Sequence, residues 1–302
     1  MKKFILIDGN AIFHRAYHSL PPFKTSKGEI TNAIYGFMRM LIDLYLKEKP
    51  DYLGIAWDKA KKTFRHEEFE EYKAHRKEAP EDLFPQLPRL KEILDAFNVP
   101  QLELEGYEAD DIIGTIALKA EKEPETNVVI VTGDKDTFQL VDDKIKVMTP
   151  ITGITKVAIY DPSKVKEKLG IRPDQIVDYK ALMGDPSDNI PGIPGIGEKQ
   201  ALDLLKKYGT LENIYKHLDE LTTTQQKKFT EGRQTGELSK RLATIVTDVP
   251  VEYDIDKYVT HDISYDKAEK LFTELEFKSL LKKLDELQDV LKPPGIEQQS
   301  MF

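Results

Sequence analysis

Three apolar runs end at an aspartate, and this repetition constrains the fold more than any other feature of the chain. Phe4-Ile5-Leu6-Ile7 stops at Asp8, Tyr52 to Trp57 stops at Asp58, and Asn127 to Thr132 runs into Gly133-Asp134-Lys135-Asp136. Short continuous apolar runs alternating with helical periodicity predict strands buried on both faces of a parallel sheet. In such sheets the loops at the carboxyl ends of the strands gather into one crevice, which makes Asp8, Asp58, Asp134 and Asp136 candidate neighbours. A turn-forming Asp would account for any one of them taken alone.

A fourth acidic stretch, Gly106-Tyr107-Glu108-Ala109-Asp110-Asp111, precedes the apolar run Ile112 to Leu118 and falls at the first turn of a helix. The helix dipole welcomes one or two acids there but does not explain three. Carboxylates with no cysteine and no organised histidine cluster suit hard, oxygen-seeking cations such as Mg²⁺ or Mn²⁺.

Strand and helix patterns alternate through about residue 150, with helices expected at Ala11–Leu20, Asn32–Lys47 and Leu87–Phe97 and a further strand at Ile145–Met148. This predicts an α/β core over residues 1–160 with a mostly parallel central sheet flanked by helices. From 161 to 286 the pattern changes to short helices with little strand signal. Residues 287–302 revert to polar linker composition.

Charge alone argues against nucleic acid, because 53 acids face 44 bases and the net charge is −9. Nine of the acids belong to the proposed cluster, however, and the 44 that remain balance the bases. The apolar run after Met1-Lys2-Lys3 is too short for an export signal, and no run nears the ~18 apolar residues of a membrane span. A cytoplasmic protein with no membrane association is the expectation.

Two segments point to a nucleic-acid backbone. Between Lys59 and about Leu94, Lys59, Lys61, Lys62, Arg65, Lys73, Arg76 and Lys77 are interleaved with Phe64, Phe69 and Tyr72. Glu67, Glu68, Glu70 and Glu71 would also fit an ordinary solvated helix face. Lys73 and Arg76, three apart, would share a helix face, with Tyr72 beside them as a surface for base stacking. Further on, Asp185 and Asp188 precede Gly192-Ile193-Pro194-Gly195-Ile196-Gly197-Glu198-Lys199. Glycines ahead of a helix allow backbone N–H groups to approach phosphate, and Ile193, Gly195, Ile196, Gly197 and Ala201 together form a helix-hairpin-helix signature.

With these residues in hand, the chain resembles the 5′-nuclease (flap endonuclease) family, most closely the 5′→3′ exonuclease domain of bacterial DNA polymerase I. The match runs from about Lys3 to about Lys283 and is carried by LIDGN, WDKAKKTFRHEEFEEYKAHR, GYEADD, TGDKDTFQL and GDPSDNIPGIPGIGEK. The resemblance implies a PIN-like or resolvase-like core, a helical arch at about 59–95 and a C-terminal helix-hairpin-helix subdomain. It implies that Asp8, Asp58, Glu108 and Asp110 serve one metal ion and Asp134, Asp136 and Asp188 a second, with Asp111 and Asp185 as weaker ligands nearby. Lys73 and Arg76 would reach the scissile phosphate and act in catalysis. Phe64, Arg65 and Tyr72 would contact DNA, and Gly192, Gly195, Gly197 and Lys199 would hold the duplex, with K⁺ bound at the hairpin.

The implied substrates are DNA with 5′ flaps, nicks or ends and RNA-primed DNA, cut during replication and repair. The implied setting is a monomer at the bacterial nucleoid, working with a polymerase domain or protein. The ending Gln298-Gln299-Ser300-Met301-Phe302 resembles a sliding-clamp docking peptide, with Gln298, Met301 and Phe302 as anchors. Two other classes fit less of the pattern: a PIN-like ribonuclease and a non-catalytic DNA-junction binding module.

Overall fold

A computed structural model describes residues 1–59, 62–76, 78–152, 156–260 and 262–291. The three Asp-terminated runs form strands β1 (Lys2–Asp8), β2 (Tyr52–Ala56) and, after the two-residue β3 (Gln101–Leu102), β4 (Thr126–Val131). With β5 (Ile145–Thr152) and β6 (Lys156–Tyr160) they make one sheet in the order β3-β2-β1-β4-β5-β6. All neighbours are parallel except β6, which pairs antiparallel with β5. The sheet is thus mostly parallel, as expected, with an antiparallel edge at β6. The central strand β1 has β2 on one side and β4 on the other, with Asp8 beside Ala56 and Ile7 beside Val131. Three carboxyl ends therefore lie side by side.

Alternate residues of β1 feed two cores. Ile5 and Ile7 pack with α1 (Gly9–Ser19), α2 (Asn32–Glu48) and, beyond the short α3 (Phe64–Glu68), α4 (Leu87–Ala96). Phe4 and Leu6 pack on the other face against α5 (Ala109–Ala120).

Helices α6 (Pro162–Leu169), α7 (Ile176–Met183), α8 (Glu198–Tyr208), α9 (Leu211–Lys216) and α10 (Thr223–Glu231) extend that second core, while α11 (Arg233–Ala243) buries Leu242 and Ala243 in a small separate cluster with Tyr72 and Ile190. Val165, Ile176 and Leu182 join Phe138 and Val147 in the second core, so the first of these helices share the sheet's core rather than building one of their own.

The last two helices, α12 (Tyr265–Glu274) and α13 (Lys278–Leu291), correct the expected boundaries. They return to the opposite face, where Phe272, Phe277 and Leu284 are buried with the residues of α2 and α4, and Lys283 Nζ pairs with Asp43 Oδ1 at 2.6 Å. A single subdomain over 161–286 therefore does not describe the packing. Nor does a linker begin at 287: Leu280, Leu284 and Leu287 form one buried stripe of α13.

The arch also differs from expectation. Among the described residues only Phe64–Glu68 is helical before a series of turns, and Lys73 has a left-handed φ of 57°. Leu90, Ile93 and Leu94 place α4 in the core and not on an arch. Lys61, Lys77 and the clamp-like ending with Gln298, Met301 and Phe302 lie outside the described residues. Among the described residues no helix is long and apolar enough to cross a membrane.

Candidate active site

At the strand ends, Asp8 is buried and caps α1, its Oδ1 accepting from Ala11 N at 2.9 Å and its Oδ2 from Thr132 Oγ1 at 2.8 Å. Asp58 Oδ1 accepts from Ala109 N at 2.8 Å, which ties the end of β2 to the start of α5. Asp134 takes its place through Thr132 Oγ1, which accepts the Asp134 N–H at 3.0 Å. These three line a cavity of about 360 Å³ together with Glu108, Asp110 and Lys73. Burial first, then the charges of Asp58 and Asp134, push the Asp8 carboxyl up to about 7. Burial, Asp134 and Asp8 raise Asp110 well above the usual carboxylate range. Asp110 Oδ1 is buried with no hydrogen-bond partner among the described residues.

A second cavity of about 610 Å³ shares Ala11, Arg76 and Asp134 with the first and adds Asp136, Asp185, Asp188 and Lys180. Burial and Asp134 push Asp136 up to about 7. Here the acids have basic partners. Lys180 Nζ binds Asp136 Oδ1 and, at 2.5 Å, Asp185 Oδ2. Arg76 Nη2 donates to Asp188 Oδ1 at 2.9 Å, and Lys73 Nζ to both Glu108 oxygens at 2.9 Å. Burial works against ionising Asp185, yet Lys180 and Ser187 hold its carboxyl below the ordinary value.

In this side-chain arrangement no three carboxylates or imidazoles among the described residues close around one point as a cation site. The donor set nevertheless fits hard divalent cations. Its ligands are all oxygen, burial and then mutual crowding hold three carboxyls above their ordinary range, and Asp110 offers a buried oxygen with no partner among the described residues. Asp8, Asp58, Glu108, Asp110, Asp134, Asp136, Asp185 and Asp188 all line one or both cavities.

Asp111 does not join them. It is fully buried and held by Arg65, with Nη1 to Oδ2 and Nη2 to Oδ1 both at 2.7 Å. Asp111 also accepts from Val246 N and Glu108 N, while Arg65 donates to the carbonyls of Leu242 and Thr244. The pair joins α3 and α5 to the end of α11, so the expected metal role for Asp111 and DNA role for Arg65 are corrected to a buried ion pair. The sequence carried a signal: Glu108 and Asp111 have the N-cap and N3 spacing of a capping box, whose acid turns back to its own helix.

Tyr72 is also corrected. It is buried, and its hydroxyl donates to Glu108 Oε2 at 3.2 Å, leaving no face for a base. Phe64 is half-buried against Tyr107 and the Arg65 guanidinium. Lys73 and Arg76 do meet at the cleft, through a turn in which Arg76 N donates to Lys73 O at 3.0 Å rather than through a helix face.

The glycine-rich hairpin joins α7 to α8. Asp185 and Ile190 exchange backbone hydrogen bonds, and Gly184 and Gly192 have φ of 80° and 68°. A Cβ on Gly192 would lie 2.3 Å from Gly184 N, so no other residue fits. Gly195, Gly197 and Lys199 are exposed, with Gly197 at the N-cap of α8. Lys228 Nζ donates to Gly195 O at 2.6 Å. Sequence reasoning missed Lys180, Thr132 and Lys228. Lys180 was detectable as a lysine in the last turn of a helix leading straight into an acidic loop.

Comparison with known proteins accounts for most of the chain. The model of the 5′-3′ exonuclease N-terminal resolvase-like domain matches residues 3–170, and that of the 5′-3′ exonuclease C-terminal SAM fold matches 171–266. The 5′-3′ exonuclease of Aquifex aeolicus is 40% identical over 288 residues, 95% of this chain and 96% of that protein. DNA polymerase I of Caldicellulosiruptor bescii is 43% identical over 300 residues, 99% of this chain and 35% of the polymerase, so the chain spans about a third of that relative. T5 5′-exonuclease with bound zinc superposes with a TM-score of 0.62 at 23% identity, covering 96% of this chain and 100% of that one. The catalytic core of Rad2 in complex with DNA substrate superposes with a TM-score of 0.62 at 16% identity, covering 97% and 92%. Both share the fold.

Proposed function

The chain belongs to the 5′-3′ exonuclease family, and from that premise we propose that it hydrolyses phosphodiester bonds from the 5′ side of DNA with two divalent cations, cutting flaps, nicks and RNA-primed ends. The observation that carries the reading is the cleft, where eight carboxylates from separate segments line two adjoining cavities and Asp110 keeps a buried oxygen unpaired.

Asp8, Asp58, Glu108 and Asp110 would hold one Mg²⁺ or Mn²⁺ and Asp136, Asp185 and Asp188 the other, with Asp134 between them. When bound, the ions supply Lewis acidity for in-line displacement at phosphorus. The protein's part is positioning. Asp8 and Asp58 are locked by backbone and threonine donors, so the acidic wall does not reorganise when substrate arrives. Lys73 and Arg76 end on acids of the cleft and are placed to exchange a carboxylate for the scissile phosphate. Arg76 is half-exposed, which leaves it free to move. The exposed Gly195, Gly197 and Lys199, at the start of α8, suit a duplex backbone and give little sequence preference.

The same reading places the enzyme in replication and repair beside a DNA polymerase, as a monomer at the nucleoid. It includes a K⁺ ion on the hairpin carbonyls and docking of Gln298, Met301 and Phe302 on the sliding clamp. A peptide of the last residues should bind the clamp and lose binding on Phe302→Ala.

The main test is release of label from a 5′-labelled flap DNA. Mg²⁺-dependent release that is faster than cleavage of single-stranded RNA is expected. Tight junction binding without release would replace this reading with that of a binding module.

A further inference from the structure

Lys180 has no part in the reading above, and its position is unusual. It lies in the last turn of α7, five residues before Asp185, with its side chain 12% exposed. Its ammonium touches carboxylates from two separate segments, Asp136 after β4 and Asp185 after α7. The strand-end wall is different: among the described residues no basic side chain forms an ion pair with Asp8, Asp58 or Asp110. One half of the cleft thus has a lysine clamped between two of its acids, whereas in the other half only Glu108, among the described residues, meets basic side chains.

We propose that Lys180 is a resident counter-cation that holds Asp136 and Asp185 together, competes with the second divalent ion for them, and yields when a phosphate offers it another partner. The inference rests on the metal-dependent reading of the cleft. Its physical basis is electrostatic. A fixed ammonium a few Å from a carboxylate pair repels an arriving cation and occupies oxygens that would bind it, enough to weaken that ion by about tenfold or more relative to the strand-end ion. The 610 Å³ cavity beside Lys180 gives its flexible four-carbon stem room to turn. A phosphate entering that cavity would draw the ammonium from the acids. By linkage, phosphate and the second ion then favour each other's binding.

The full chain, stripped of metal, is titrated with Mn²⁺ while free Mn²⁺ is followed by electron paramagnetic resonance. The wild-type protein should take one ion tightly and a second at least about tenfold more weakly. In Lys180→Met the second ion should tighten by about tenfold or more with the first unchanged, while Lys180→Arg keeps the wild-type pattern. Thymidine 5′-monophosphate should tighten the second ion in the wild type and not in Lys180→Met, and thymidine should do neither. Without metal Lys180→Met should melt below the wild type, and it should gain more on adding Mn²⁺. Lys180→Gln serves if the methionine variant does not fold.

A second ion that binds Lys180→Met no more tightly, with the circular dichroism spectrum and the first ion intact, overturns the proposal and leaves the nuclease reading standing. Failure of the wild type to bind any Mn²⁺ overturns the metal reading itself.

Discussion

The two walls of the cleft solve the same problem in opposite ways. On the strand-end wall Asp8, Asp58 and Asp110 are held by backbone N–H groups, a threonine hydroxyl or nothing, and two of the three carboxyls lie well above their ordinary range. On the helical wall Lys180 and Arg76 answer Asp136, Asp185 and Asp188, while Lys73 reaches Glu108 beside the strand ends. A wall of unanswered acids is poised for an ion. A wall with built-in cations is stable without one and gives up contacts when an ion or phosphate arrives. Rigid placement therefore belongs to the sheet, and adjustment to the turns and helices that face it.

The largest effect expected is at Asp134, which lines both cavities. Asp134→Asn should lower turnover by about 10³-fold or more with DNA affinity little changed. A loss below tenfold in single-turnover cleavage would show that the walls act separately. Next, Lys73→Ala should slow cleavage by on the order of 10²-fold and weaken binding only a few-fold. Equal losses of rate and affinity would make the residue a tether.

Arg65→Met tests the one pair that belongs to neither wall. It leaves Asp111 charged and buried, and the cost should be about 3–5 kcal/mol in denaturant unfolding. A cost under about 1 kcal/mol would mean that the pair is not what fastens α3 and α11 to α5.

The smallest effect tests both walls together, by proton and metal. Asp8 and Asp136 bind protons more tightly folded, at about 7, than a free carboxylate near 4. The folded state thus holds more protons between those values, and the stability they favour at low pH is lost as pH rises through 7. In chelator the melting temperature should be a few degrees lower at pH 7.5 than at pH 5.5, and millimolar Mg²⁺ should raise it most at the higher pH. A melting temperature indifferent to Mg²⁺ at pH 7.5 would count against a preformed cluster.

Much of this site was legible residue by residue. Asp8, Asp58 and Asp134 could be read because a buried parallel strand has a continuous apolar run and its acid stands where the run stops. Asp111 was misread because side-chain type and spacing do not say which way a carboxylate points once Arg65, 46 positions away, can reach it. Tyr72 was misread for the same reason, since a hydroxyl that finds Glu108 turns an aromatic expected at the surface into a buried one. Leu287 looked like the start of a linker because its stripe is only three leucines long, and the facing α2 and α12 make it core.

Local order in the chain determined the strands, the acidic ends and the glycine hairpin, because each depends on neighbours within a few residues. Tertiary structure alone decided which acids meet a lysine or arginine and which are left open to an ion, and where the last two helices pack. Those outcomes depend on side chains brought together from distant segments, and charge pairing in a buried cleft is set by distances of a few Å that no spacing in the chain encodes.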